Sequence, residues 1–298
     1  MNKKTSVIVF SKDRPLQLGG YLESLIYFSK INKGSITVIY THSSSISYEN
    51  LISEFPEINW VKENIFFEDL LSAINIANDF IIFGCDDVVF KDFFDIDVSI
   101  NTLEINDDIF GFSLRLGNNI APLPQKIDTN SNFLKWSWIN CETSHWNYPW
   151  ELDGTLYRRE DILSIISKVN RDLIKNPNYF ESEIANRVSE LIPRNNLAAF
   201  IKSKCIVLTI NRVQDDFENS FDSTVNTDVT SLYELYLKGC KIDYKAISKK
   251  NNSFIHVGVE FFMLSLKGYK YFNYKNSIKI FFKRFSFFIK RKIFFLFN

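Results

Sequence analysis

Short apolar runs alternate with longer amphipathic ones along the first half of the chain. Thr5 to Phe10 is an apolar run of strand length, and Leu18, Leu22, Leu25 and Ile26 follow at helical spacing behind Pro15. The pattern predicts strand, polar loop and helix, with Asp13 as N-cap and Pro15 in the first turn. Ile36 to Thr41 predicts a second strand with His42 at its tip, residues 48 to 55 a helix, and Ile58 to Val61 a short third strand. Leu70, Leu71, Ile74 and Ala77 mark a helix that leads into a buried fourth strand, Phe80 to Phe83. Such alternation predicts an α/β fold with a mostly parallel sheet and right-handed crossovers. Ligands of open α/β sheets sit beyond the carboxyl ends of the strands, which here means Ser11, His42 and Asp86.

The second half is less regular. Ile109 to Leu116 predicts a strand, and a polar stretch from Gly117 to Lys135 carries prolines at 122 and 124. A loop of that length is usually functional, and Trp136, Trp138, Trp146 and Trp150 just beyond it predict an ordered, aromatic-lined site with two or three of these rings in the core. A strand at Gly154 to Arg158, helices at Glu160 to Val169 and Tyr179 to Leu191, a strand at Cys205 to Ile210 and a helix at Val229 to Leu237 follow. No period of 20 to 50 residues recurs, which excludes solenoids and propellers.

The run DFIIFGCDDVVF places Asp86 and Asp87 side by side where a core strand ends. Carboxylates in that position are costly unless they do something. A paired acid there can hold a divalent cation that in turn binds a diphosphate, and on local pattern an acidic turn fits equally well.

Composition narrows the picture. A hydrophobic content of 46% over 298 residues supports a sizeable core and excludes a disordered chain. The four Cys, at 85, 141, 205 and 240, show no zinc-type spacing, and no charged-then-apolar leader opens the chain, so a reducing cytoplasm is expected. The formal net charge of zero conceals an asymmetry: Lys279, Lys283, Arg284, Lys290, Arg291 and Lys292 lie in the last 23 residues, which contain no acid. The rest of the chain is therefore acidic, which argues against a nucleic-acid binder. Residues 276 to 298 also hold many phenylalanines opposite the lysines on a helical wheel. Their apolar stretches fall far short of the ~20 residues needed to span a bilayer, so a basic amphipathic helix lying on an anionic membrane is expected. Two domains follow, a body at 1–275 and a membrane-associating tail at 276–298, with the protein peripheral on the inner face of the cytoplasmic membrane.

Four strings together resemble the bacterial GT-A fold glycosyltransferases related to the large family-2 group: VIVFSKDRPLQLGGYLESL, FIIFGCDDVVF, IFGFSLRLG and YPWELDGTLYRREDI. The resemblance covers roughly residues 5 to 260. It implies a nucleotide-diphospho-sugar donor, a glycan or lipid-linked acceptor, and Mn²⁺ or Mg²⁺ as cofactor. By the same resemblance Ser11, Asp13, Arg14 and His42 lie on the donor side. Asp86 and Asp87 stand in the place of the family's DxD-type motif, Asp86 facing the ribose and Asp87 the metal, with His256 as a second ligand. Cys85 and Val88 occupy flanking positions where a third Asp often appears.

Trp150, Glu151 and Gly154 resemble the acceptor side of the fold. The general base, required because a hydroxyl is a poor nucleophile at neutral pH, falls to Glu181 or Glu183 in NPNYFESEIANRV, or else to Asp153. Arg212 and Gln214 are further candidates for phosphate or acceptor contacts. The implied function is metal-assisted transfer of a sugar, of the hexosyl type, to a surface glycan such as lipopolysaccharide or capsule, with inversion. The alternatives are a catalytically silent, membrane-associated relative and a nucleotidyltransferase; the latter normally opens with a Gly-rich, basic phosphate loop that SKDRPLQLGG lacks.

Overall fold

The structure, a computed structural model, describes residues 5–129, 132–214, 227–266 and the backbone of 269–273. It begins β1 (Thr5–Lys12), α1 (Pro15–Ser29), β2 (Ile36–Thr41), α2 (Glu49–Glu54), β3 (Asn59–Lys62), α3 (Phe66–Ile76) and β4 (Phe80–Cys85). Next come β5 (Val88–Phe90), α4 (Ile96–Ile105), β6 (Ile109–Ser113), β7 (Asp128–Thr129), β8 (Phe133–Ser137) and β9 (Thr155–Arg158). Then follow α5 (Arg159–Ile166), α6 (Pro177–Ala185), α7 (Val188–Leu191), β10 (Asn196–Phe200), β11 (Cys205–Leu208) and α8 (Val229–Leu237). The last described elements are β12 (Cys240–Ile242), α9 (Tyr244–Ile247), β13 (His256–Val257), β14 (Met263–Leu266) and β15 (Tyr269–Asn273).

The main sheet has nine strands in the order β3-β2-β1-β4-β9-β6-β10-β8-β7. β1 to β4 pair in parallel, as does β6 with β10, whereas β9 lies antiparallel between β4 and β6. The α/β expectation holds, and the sheet is mixed rather than wholly parallel. Its apolar strands are buried because helices cover them: Val7, Val9, Ile81, Ile82 and Phe83 have no exposed surface, and Leu18, Leu22 and Leu25 of α1 pack inward. β4 passes so close under α1 that a Cβ on Gly84 would collide with the Tyr21 ring.

A smaller sheet, β13-β11-β5, fixes the far side of the acidic turn. Val88 pairs with Val207, and Val207 with His256, so a single strand separates the residue after Asp87 from His256.

Several local expectations change. Asp13 does not cap α1; its backbone is left-handed, with φ 57°, and its carboxylate accepts from the Ser43 N–H at 2.6 Å. The helix expected over 179–191 is two, α6 and α7, broken at Asn186 and Arg187. The stretch from 117 to 135 contains β7 and enters β8, and all four tryptophans near it are buried. The tail at 276–298, on which the membrane expectation rests, lies outside the described residues. Among those described, no helix is long and apolar enough to cross a membrane.

Candidate active site

Two clusters form at the carboxyl ends of β1, β4 and β6. In the first, β1 delivers Ser11 and the β1–α1 loop delivers Arg14, while β4 ends at Asp86 and Asp87. The Ser11 hydroxyl donates to Asp86 Oδ2 at 2.8 Å. Its single proton is thereby used, so the Tyr48 hydroxyl, 2.7 Å away, donates to Ser11 and accepts the Arg14 N–H at 2.9 Å. Arg14 Nη1 bridges both acids, at 2.9 Å from Asp86 Oδ1 and 3.1 Å from Asp87 Oδ2. Its Nη2 donates to the Asn211 carbonyl at 2.6 Å. Burial pushes the Asp86 carboxyl up, and although Arg14 pulls it back, Asp87 adds to the rise and it settles at about 6. His42 lies at the rim, its ring beside those of Tyr40 and Tyr48.

The second cluster surrounds Arg115, which follows β6 and is 3% exposed. Its Nε is 3.4 Å from Glu151 and its Nη1 3.9 Å from Asp153. Glu151 also accepts from the Asp153 N–H and the Thr155 hydroxyl. Gly154 makes this turn possible, because its φ of 108° is strained for any side chain. Burial draws the Arg115 guanidinium down, but Glu151 and Asp153 outweigh it and hold it above its ordinary value. Burial, with Glu151 and Glu181 nearby, raises Asp153 well above the carboxylate range.

Glu181 comes from α6, whose start is set by Pro177 and by the Asn176 side chain accepting the Tyr179 N–H at 3.2 Å. Burial and Glu151 push Glu181 up to about 7, against the opposing pull of Arg115 and a hydrogen bond with Tyr148. Glu183, two residues on, faces elsewhere: it pairs with Arg187 at 3.4 Å. His145 and His256 stand with ring centroids 5.4 Å apart, and partial desolvation with Arg115 nearby lowers both, although His256 itself stays exposed.

The structure therefore gathers Ser11, Arg14, Asp86 and Asp87 at one cluster and Glu151, Asp153, Gly154 and Glu181 at the other. Trp150 belongs to neither. It is fully buried against Phe83, Tyr157 and Phe180, so it walls the site from behind and offers no face to a ligand. Asp13 orients the β2 end rather than the acids, and Arg212 and Gln214 follow Asn211 at the edge of a described segment. Sequence reasoning missed Arg115, Tyr148 and Tyr48. Arg115 carried the same signal as Asp86, a charge terminating an apolar strand.

Among the described residues no three His, Cys, Asp or Glu side chains converge as a metal site. Asp86 is taken up by Ser11 and Arg14, and Asp87 Oδ2 also meets Arg14 at 3.1 Å, so the other oxygen of the Asp87 carboxylate, with His256 two strands away across β11, is what the chain would offer an ion. One or two protein ligands completed by phosphate oxygens and water suit Mg²⁺ or Mn²⁺, so the donor set fits an ion that arrives with a diphosphate.

Fold and site together make an α/β scaffold with two charged clusters at one end of its sheet. In an alignment of 261 positions that covers 74% of its length, the chain is 30% identical to the bifunctional glycosyltransferase pgtA of Dictyostelium discoideum, and it spans 34% of that protein. The chain is thus a homologue of a glycosyltransferase, as its motifs implied. No protein-family model matches it. Among solved structures, S. aureus TarS 1-349 in complex with UDP-GlcNAc overlaps 74% of this chain and 62% of its own, at a TM-score of 0.47 and 14% identity. The mannosyltransferase PcManGT from Pyrobaculum calidifontis, in complex with GDP-Man and Mn²⁺, overlaps 59% and 50%, at 0.37 and 10%.

Proposed function

We propose that this chain is an inverting glycosyltransferase that moves a sugar from a nucleotide-diphosphate donor to a hydroxyl of a surface glycan. The observation that carries the reading is the pairing of two clusters at one sheet end: an anchored acid pair, and a buried acid group with a carboxylate near neutrality. Kinship with a glycosyltransferase agrees with it.

In this reading Asp86 is held by Ser11 and Arg14 as an acceptor for ribose hydroxyls, and Asp87 with His256 holds the divalent ion. When bound, that ion supplies positive charge to the leaving diphosphate. Glu181 is the base. A carboxylate tuned to about 7 retains enough basicity to take a hydroxyl proton and is still half ionised at neutral pH. Asp153, whose carboxyl is raised by burial and by its acidic neighbours, stands beside it to contact the acceptor or the transferred sugar. Glu183, turned towards Arg187, takes no part.

The acceptor is proposed to be lipid-linked, met at the inner membrane surface through the basic, Phe-rich residues 276–298. This part rests on the sequence alone.

Calorimetry of nucleoside diphosphate binding with Mn²⁺ tests the donor half. Asp87→Ala should weaken binding at least tenfold and abolish its metal dependence while the fold persists. Unchanged binding would remove Asp87 as the ligand, and absence of any nucleotide binding by the native chain would remove the reading.

A further inference from the structure

The Arg115 side chain lies at the centre of the second cluster. It is buried, yet among the described residues it makes no hydrogen bond of good geometry: its Nε lacks a partner, and its two ion pairs are 3.4 and 3.9 Å long. A buried guanidinium held so loosely contributes little as a structural tie. Its surroundings show what it does. Glu151 and Asp153 from the turn before β9 and Glu181 from α6 converge on it, and Tyr148 bonds to Glu181. Cys85 at the end of β4 also faces Glu181, as an uncharged thiol held so by burial. His145 and His256 face Arg115 and are kept uncharged by partial desolvation and by its charge. Arg115 is thus the one cation that these elements supply to three carboxylates.

We propose that Arg115 is a positioning residue for the base: set between Glu151 and Asp153, it offsets the negative charge of the acid group, so that Glu181 is ionised at neutral pH. The inference rests on the assignment of Glu181 as base, but its electrostatic content stands apart from turnover. Three carboxylates in a dry pocket repel, and burial favours protonation of each. Without a cation the first of them to regain a proton as pH falls is the one with fewest other donors. Glu151 keeps the Asp153 N–H and the Thr155 hydroxyl as donors when Arg115 is lost, whereas Glu181 keeps Tyr148 alone, so the loss falls on Glu181.

The test is a carboxylate ¹³C NMR titration of the whole chain labelled at glutamate, with the Glu181 resonance identified by its loss in Glu181→Gln. The native midpoint is expected near 7. Arg115→Met should raise it by about one unit or more, Arg115→Lys should keep it within about half a unit, and Glu151→Gln should lower it by about one unit. Opposite shifts from a removed cation and a removed anion are not produced by a merely structural role. An unchanged midpoint in folded Arg115→Met, or a shift of the same sign in both charge-removing variants, overturns the proposal. Should Arg115→Met fail to fold, Arg115→Lys and Glu151→Gln decide it, since a midpoint unmoved by Glu151→Gln removes the charge coupling on which the role depends. A titration that behaves as expected in a protein whose donor turnover ignores Glu181→Gln would keep this role for Arg115 and remove the base from the transfer reading.

Discussion

Each cluster is built on one buried arginine between two carboxylates, but the two are held to different degrees. Arg14 meets Asp86 and Asp87 at 2.9 and 3.1 Å and adds a 2.6 Å bond to the Asn211 carbonyl. Arg115 meets Glu151 and Asp153 at 3.4 and 3.9 Å and shares its field with a third acid, Glu181. Charge-assisted bonds of 2.7–2.9 Å are the strong ones, so the first cluster is a rigid tie and the second a balance of charges. The contrast matches what each end does in the proposed reaction. A donor anchor gains from groups that are already in place when the diphosphate arrives, whereas a base must change protonation during every turnover.

The largest effect that would break this comparison is catalytic. Glu181→Gln keeps the shape and the Tyr148 contact but removes the basic oxygen, and transfer should fall by about 10² to 10⁴, the usual contribution of a general base. Because the base acts ionised, kcat/KM of the native enzyme should rise tenfold per pH unit below its midpoint near 7 and level off above it. The rising limb should vanish in Glu181→Gln. A variant that retains both the rate and the limb would move the base elsewhere, Asp153 being next in line.

The second effect is on stability and separates the rigid tie from the balance. Arg14→Met strands two carboxylates, one of them buried, together with the Asn211 carbonyl, and breaking a buried pair from one side costs about 3–5 kcal/mol. Arg115→Met should cost less, because its lost contacts are longer and the acids near it can take up protons. Urea denaturation of the two variants at neutral pH compares them directly. Equal losses would show that distance in these pairs does not distinguish a tie from a balance.

The same contrast decides what could be read in the sequence. The anchor was legible because its parts are local: a strand-end loop SKDR and a strand-end CDD each show charge where an apolar run stops, and the parallel order of β1 and β4 brings them together. The acid group was legible only in pieces. Glu151 and Asp153 lie in one motif, but the cation that organises them is some 36 residues earlier, and nothing in LRLG reveals that β9 inserts antiparallel beside β6 and carries the two within reach. Trp150 went astray for a related reason. An aromatic next to acids looks the same in sequence whether it faces a sugar or, as here, fills the space behind Phe83. Strands β7 and β8 were hidden because edge and antiparallel strands need less apolar sequence than the central ones, and β10 because its apolar run, Leu197 to Phe200, is short.

The smallest predicted effect concerns Glu183 and sharpens the comparison by its absence. Glu181 and Glu183 occupy the same helix two residues apart, a separation that turns their side chains to different sides of α6. Glu181 meets Tyr148, and Glu183 meets Arg187 at 3.4 Å, a partner that also binds Glu190 at 2.6 Å. Arg187 therefore keeps an acid when Glu183 is lost, and a partly exposed helix pair of this kind contributes at most about 0.5 kcal/mol. Glu183→Gln should change transfer less than twofold and leave the pH profile where it was. Steady-state kinetics of the two substitutions side by side check the assignment, since a large loss in Glu183→Gln with little in Glu181→Gln would mean that α6 presents its other face to the acceptor.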